Sequence, residues 1–447
     1  MTPPKPTPRA DKVSLWRYLR LFRSDILSAQ PARLYRAWMA EFRTPFFRSY
    51  LCNDPALIRR VLQDRPMDFP KSARIREGLA PLLGKSVFLT NGQEWLKQRR
   101  IIDPAFQGGR LRETFPAMLA AGTAAVARMP LGMVEVESQM SHAAADVIFR
   151  TLFSLPIEDD VAGGVFDEFR TFQRSQPLVN LAAFIPMLAW VPRFHKNRAK
   201  VSALSIRALI LRLTTARVAD VAAGTAPDDL ATKILTTVDP ETGSRFDTED
   251  MADQVAIFFL AGHETSASAL AWALYLLARD PAVQARAHAE ATVLGDAPDF
   301  TMLSRLAFIR DVFRETLRLY PPVPMMVREN SCPEDMRGRK VAPGSQIVLS
   351  PWHLQRHERI WDRPDEFDPD RWQSDAGRAC AKDGFIAFSA GPRACPGAGF
   401  AMAEGVLLLA LLVRRFQFSV VDAKVPEPVA HLTVRAKDGI WLQVTPR

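Results

Sequence analysis

A cysteine bracketed by glycines and set just ahead of an apolar helix constrains this chain more than any other feature. In Phe388-Ser-Ala-Gly391-Pro-Arg393-Ala-Cys395-Pro-Gly397 the loop runs straight into 397–416, a stretch so apolar that it reads as a buried helix. The start of a helix carries unpaired N–H groups and partial positive charge, which favour a thiolate over a thiol. Gly391 and Gly397 let the backbone turn closely around a flat ligand. Arg393 offers a guanidinium to an acidic group, and Phe388 can pack beside the sulfur. The competing reading is a buried structural cysteine, the usual fate of a lone Cys.

The remaining cysteines, Cys52, Cys332 and Cys380, are scattered without metal-ligand spacing, which suits free thiols in a reducing compartment. A length of 447 residues suggests more than one domain, yet no internal stretch reads as a linker. The Pro-rich segment 1–10 reads as a loose, disordered tail, and 11–447 as one unit. No apolar run approaches the roughly 20 residues that span a bilayer. The N-terminus carries charge and proline where a signal peptide needs an apolar stretch of about 7–15 residues, so a cytoplasmic protein is expected. The net charge of +9 suits an acidic protein partner. No dense basic run with interleaved aromatics supports nucleic acid.

Helical periodicity covers most of the chain. The clearest segments are 253–278, ended by Asp280-Pro281, and 306–320, halted by Pro321-Pro322. Strand-like pieces are short: 346–349, and a C-terminal pair, 432–435 and 440–444, that Lys437-Asp438-Gly439 would join as a hairpin. The expected class is mainly α with small β-sheets.

Three further segments carry chemistry. Ala261-Gly262-His263-Glu264-Thr265 lies inside the first long helix. A glycine there costs roughly 1 kcal/mol relative to alanine, and one reason to keep it is the approach of a flat ligand. Thr265 can hydrogen-bond into the resulting groove; alternatively it bonds back to the previous turn and Glu264 is simply solvated. Glu315-Thr-Leu-Arg318 puts a carboxylate and a guanidinium on one helix face, a pairing common on surfaces. Trp95 and Arg99 stand one helical turn apart.

From Trp95 to the C-terminus the chain resembles the cytochrome P-450 family through five motifs in order. The cysteine loop matches the family's FxxGxRxCxG form, and 261–265 its AGx(D/E)T form. Glu315 and Arg318 match the ExxR helix, Pro369-Asp370-Arg371-Trp372 the later arginine segment, and Trp95 with Arg99 the WxxxR pair. The resemblance implies a P-450 fold and haem b with Cys395 as the iron's thiolate ligand. It implies that Thr265 steadies bound oxygen and Glu264 passes protons through water. Glu315, Arg318 and Arg371 would form a structural cluster beneath the ligand loop. Trp95, Arg99, Arg328 and Arg393 would contact the haem propionates, while Phe388, Gly391, Gly397, Ala261 and Gly262 would contact the macrocycle. Gln355 stands where many members have histidine, which leaves a propionate contact from that place open.

By family position the substrate meets Val87 and Phe88, then Leu178, Phe184 and Met187 in 172–190. Further on it meets Phe258, Val323, Met325, Met326 and Thr433. Such residues also suit plain core, but as a lining they imply a hydrophobic substrate: terpenoid, fatty acid, steroid-like or aromatic. The reaction implied is a monooxygenation, hydroxylation or epoxidation with O2, by a monomer. Electrons would come from NAD(P)H through a separate ferredoxin and its reductase, with Lys97, Arg100 and Arg110 steering an acidic ferredoxin. A partner-independent peroxygenase or isomerase, or a haem-binding sensor, is the alternative; the Glu264-Thr265 pair weighs against the first, and Thr265 with the apolar pocket against the second. Near the N-terminus, Leu15, Tyr18, Leu19, Phe22 and Ile26 share one helical face, with Arg17, Arg20 and Arg23 near its polar side. That face can lie weakly on a membrane surface or dock onto the protein body.

Overall fold

The computed structural model describes residues 1–43, 48–107, 109–175, 197–295, 297–430 and 432–447. The helices that position the site are α1 (Leu15–Ser24), α2 (Ala73–Leu83), α3 (Gly92–Ile102), α4 (Val136–Phe153), α5 (Thr248–Arg279), α6 (Ala307–Leu319) and α7 (Ala398–Arg415). Their ends follow local chemistry. The Asp247 side chain accepts the Asp250 N–H to start α5, and Asp280, ahead of Pro281, closes it. Helix α5 is mostly apolar because it is packed along most of its surface, with α4 along one side. At its C-terminal end Trp272 stacks on Tyr320 at 3.9 Å between ring centroids.

The strands that bear on the site are β1 (Met39–Arg43), β2 (Arg48–Cys52), β3 (Gly132–Glu135), β4 (Met326–Glu329), β5 (Gln346–Leu349), β6 (Phe416–Val420), β7 (Pro428–Ala430), β8 (Val434–Ala436) and β9 (Trp441–Pro446). One sheet has the order β1-β2-β5-β4, with β2 parallel to β5 and Arg328 opposite Ile347. The class is the expected one: helices dominate, and the sheets are small and separate.

Two expectations give way. The C-terminal hairpin does not form. β8 pairs with β7, whereas β9 runs between β3 and β6 in another sheet. Both edges of β9 are taken by those neighbours, and Gly439, at φ +76°, turns the chain from one sheet to the other. Nor is the N-terminal segment a loose tail. Phe367 N–H bonds the Met1 carbonyl at 2.8 Å, Tyr320 Oη donates to the Pro4 carbonyl at 2.6 Å, and Lys5 pairs with Asp365. Proline-rich backbone has few N–H groups, but its carbonyls still accept, and the body supplies the donors. No helix among the described residues is long and apolar enough to cross a membrane.

Candidate active site

Between Met251 and Ala278, α5 is buried at every position except Phe258, Ala261, Gly262 and Thr265. That spacing is one face of a helix. All four line a cavity of about 1530 Å³, which Cys395, Pro396 and Gly397 line as well. Ala261 and Cys395 are exposed only in the sense that they open into this internal space. Of the four cysteines, Cys395 alone lines it.

The cysteine loop is held by its own backbone. Cys395 N–H bonds the Phe388 carbonyl at 2.9 Å, and α7 starts three residues later at Ala398. Gly391 is required twice over. Its φ is +64°, and a Cβ there would stand 2.1 Å from the Leu62 carbonyl oxygen. So Gly391 allows the loop to lie against the backbone at Leu62, and it does not itself line the cavity. At Gly397 the nearest atom to a Cβ is the Cys395 sulfur at 4.0 Å. Burial pushes the Cys395 thiol above its ordinary pKa, while the Gly397 N–H and Arg99 pull the other way. The helix start alone therefore does not make the thiolate; a cation at the sulfur would.

Gly262 is likewise explained by packing. A Cβ on it would meet Ile148 Cδ1 at 2.4 Å, so the glycine lets α4 approach α5. Ala261 and Gly262 both still line the cavity. Thr265 Oγ1 bonds back to the Ala261 carbonyl at 2.5 Å and so donates within its own helix. Glu264 is 6% exposed and accepts from Thr433 Oγ1 at 2.5 Å. Arg435 Nη2 stands 2.9 Å from the same oxygen, Oε1.

On the cavity wall Lys71, Arg99 and Arg393 converge on Trp95, which is 3% exposed, and Arg328 lies near Lys71 and Arg393. The Arg393 guanidinium lies 4.6 Å from its ring, Lys71 Nζ 5.8 Å and Arg99 6.0 Å. Arg99 pairs with Asp103 at 2.7 Å. Among the described residues no carboxylate pairs with Lys71, Arg328 or Arg393, and the Nε atoms of Arg328 and Arg393 have no hydrogen-bond partner. Burial, together with neighbouring cations, pushes Arg328 down to about 10 and Lys71 well below its ordinary value. Unpaired buried cations are costly, so this cluster is built to receive acidic groups. Among the described residues no set of three or more His, Cys, Asp and Glu could hold a metal by itself. One thiol facing an apolar cavity with cations at its rim suits a flat iron-bearing ring with carboxylate arms.

Beneath the loop, Glu315 and Arg318 form a fully buried bidentate pair at 2.8 Å on both arms. Arg371 Nε and Trp372 Nε1 each reach Glu315 at 3.1 Å. Arg318 also donates to the carbonyls of Gln355, Pro364 and Glu366, so every charge has partners. Gln355 bonds the carbonyls of Leu317 and Arg318 and accepts the Ile386 N–H. It is a structural brace and does not line the cavity.

Val87, Phe88, Val323, Met325, Met326 and Thr433 all line the cavity. Leu178, Phe184 and Met187 lie outside the described residues. In the N-terminal segment Leu15, Tyr18, Leu19, Phe22 and Ile26 line the same cavity, but no residue of α1 is buried, and Leu15 is 45% and Trp16 84% exposed. Two of the three expected steering charges are engaged elsewhere. Arg100 grips buried Asp239 at 2.5 Å, and Arg110 pairs with Glu113 and Asp228 at 2.8 Å.

Sequence reasoning missed Lys71, Glu404, Arg435 and Trp372. Glu404 is the one acid in apolar α7, which was a signal. It is 1% exposed, lines the cavity, and is pushed up to about 8 by burial. Arg435 follows Thr433 by two residues, so extended backbone puts both on one side. Lys71 had no signal.

A family model described as Cytochrome P450 matches residues 43–443. Pentalenene oxygenase of Streptomyces avermitilis is 31% identical, over 89% of this chain and 88% of its own. Cyclooctatin synthase of Streptomyces melanosporofaciens is 30% identical, over 87% of this chain and 84% of its own. Cyclooctat-9-en-7-ol 5-monooxygenase of the same organism is 30% identical, over 85% and 82%.

Proposed function

The chain belongs to the cytochrome P450 family and is a haem-thiolate monooxygenase of a hydrophobic small molecule; on that premise we propose how its own residues divide the work. Cys395 supplies the thiolate ligand. Lys71, Arg99, Arg328 and Arg393, together with Trp95, hold the propionates of haem b. When bound there, the haem iron supplies activation of O2 and transfer of one oxygen atom to the substrate.

The protein's share is orientation, exclusion of water and protons. Phe258, Ala261 and Thr265 line the same cavity as the cysteine loop, and apolar Val87, Val323, Met325 and Met326 exclude water from the substrate. Thr265 would turn its hydroxyl into the cavity by giving up its bond to the Ala261 carbonyl. Glu264 relays protons to that hydroxyl through water. The single observation that carries this reading is the convergence of Cys395, Thr265 and the unpaired cations on one cavity.

A terpenoid is the substrate class favoured, on the names of relatives that act on pentalenene and cyclooctat-9-en-7-ol and on the apolar lining. Electrons from NAD(P)H arrive through a separate ferredoxin and reductase, and the net charge of +9 favours an acidic ferredoxin. With a surrogate ferredoxin, its reductase, NADPH and labelled O2, an apolar carbocyclic compound that shifts the haem spectrum should gain one labelled oxygen atom. Conversion without NADPH, or without label, would overturn the reading.

A further inference from the structure

Glu264 is held from outside its own helix. Thr433 and Arg435, two residues apart on the C-terminal segment, both engage Oε1. That segment is itself fastened to α5 and its surroundings: Ser268 Oγ donates to the Val434 carbonyl, and Val434 N–H bonds the Pro322 carbonyl at 2.9 Å. The arginine cannot drift far from its acid. Its side chain is 33% exposed, against 7% for that of Glu264, so the guanidinium spans from a buried carboxylate to the wetter rim.

A second acid shares it. Arg435 Nε lies 4.0 Å from Glu137 Oε1 on α4. Burial pushes Glu137 up to about 7; Glu135 and Glu264 add to the rise, while Arg435 and the Ala436 N–H oppose it. Among the described residues the guanidinium is therefore the one cation paired with both acids, buried Glu264 and half-buried Glu137, from two helices, and its hold on each depends on the other.

We infer that Arg435 is a positioning residue for proton delivery, setting when the Glu264 carboxylate stays against the C-terminal strand and when it turns toward Thr265. A proton taken from rim water by the carboxylate is given up at the Thr265 end, which returns the carboxylate to its starting form. The inference rests on the reading of Glu264 as the proton relay.

The test uses haem-loaded Arg435→Met, Arg435→Lys and Glu264→Gln, each with the surrogate electron chain. Product per NADPH and the kinetic solvent isotope effect are read together, because a merely structural arginine would not move the isotope effect. Arg435→Met should lower product per NADPH on the order of tenfold and raise the isotope effect. That falls short of the roughly 10²-fold loss expected for Glu264→Gln. Arg435→Lys should recover part of both. Where Arg435→Met does not load haem, Arg435→Gln, polar but uncharged, is read in the same way. Wild-type coupling and isotope effect in the uncharged variant, alongside a damaged Glu264→Gln, overturn the inference and leave the relay standing. An unaffected Glu264→Gln removes the relay and the inference with it.

Discussion

Ser266 Oγ donates to Glu404 Oε2 at 2.7 Å, and so ties the helix that carries Thr265 to the helix that starts behind Cys395. The other carboxyl oxygen, Oε1, has no hydrogen-bond partner, and burial raises the group from 4.5 to about 8. A carboxyl with a raised folded pKa adds stability that is fully present below its unfolded value and drains away as pH climbs to the folded one. Wild type should therefore lose stability relative to Glu404→Gln between about pH 4.5 and 8, and the gap should then level off. Its size should be several kcal/mol, because each tenfold change in proton affinity is worth about 1.4 kcal/mol. Denaturant unfolding of both proteins at pH 5 and pH 9 measures it, and a gap independent of pH would contradict the assignment.

The cations of the cavity rim should show opposite effects with and without haem. Arg328→Met removes a buried charge that no carboxylate balances and an Nε without a hydrogen-bond partner, so the apoprotein should gain about 1–3 kcal/mol. The same change removes a charge-assisted contact to a propionate, so haem should transfer to an apo-acceptor roughly 10- to 100-fold faster, following the same energy. Unfolding of the apoprotein and haem-transfer rates, taken together, check both signs.

Thr265→Ala removes the only hydroxyl on the open face of α5. Loss of about 1 kcal/mol of hydrogen bonding at the bound oxygen should lower product per NAD(P)H about fivefold and raise peroxide release. Haem content and substrate-induced spectral shifts should stay at wild-type values. Unchanged coupling would remove Thr265 from the proton path.

Glu315→Ala leaves Arg318, with a fully buried side chain, without its carboxylate. Stranding such a charge costs about 3–5 kcal/mol, and Arg371 and Trp372 lose the same anchor. Haem incorporation should be abolished, as read from the ratio of Soret to protein absorbance. Full loading of this variant would show that the cluster does not support the ligand loop.

Much of the site was legible because its residues sit where local pattern and chemistry coincide. The strand 346–349 and the helix 307–319 follow directly from periodicity and the proline stop. The glycines were legible as necessary but not in their purpose. Gly262 answers to Ile148 and Gly391 to Leu62, and such long-range neighbours leave no mark in local sequence. The C-terminal hairpin failed for the same reason, because β9 finds better-matched edges in β3 and β6. Lys71 reaches Trp95 and Arg393 only through the fold, whereas Arg435 could have been read from its period-two relation to Thr433.

The central claim is that Cys395 ligates the haem iron as a thiolate, and the reduced carbon monoxide difference spectrum tests it most directly. The wild-type protein should show the strongly red-shifted Soret band of a thiolate-bound carbonyl complex. In Cys395→His that band should move to the position typical of imidazole ligation, with haem retained by the rim cations. A wild-type spectrum of the imidazole type, or a red-shifted band that survives in Cys395→His, would contradict it.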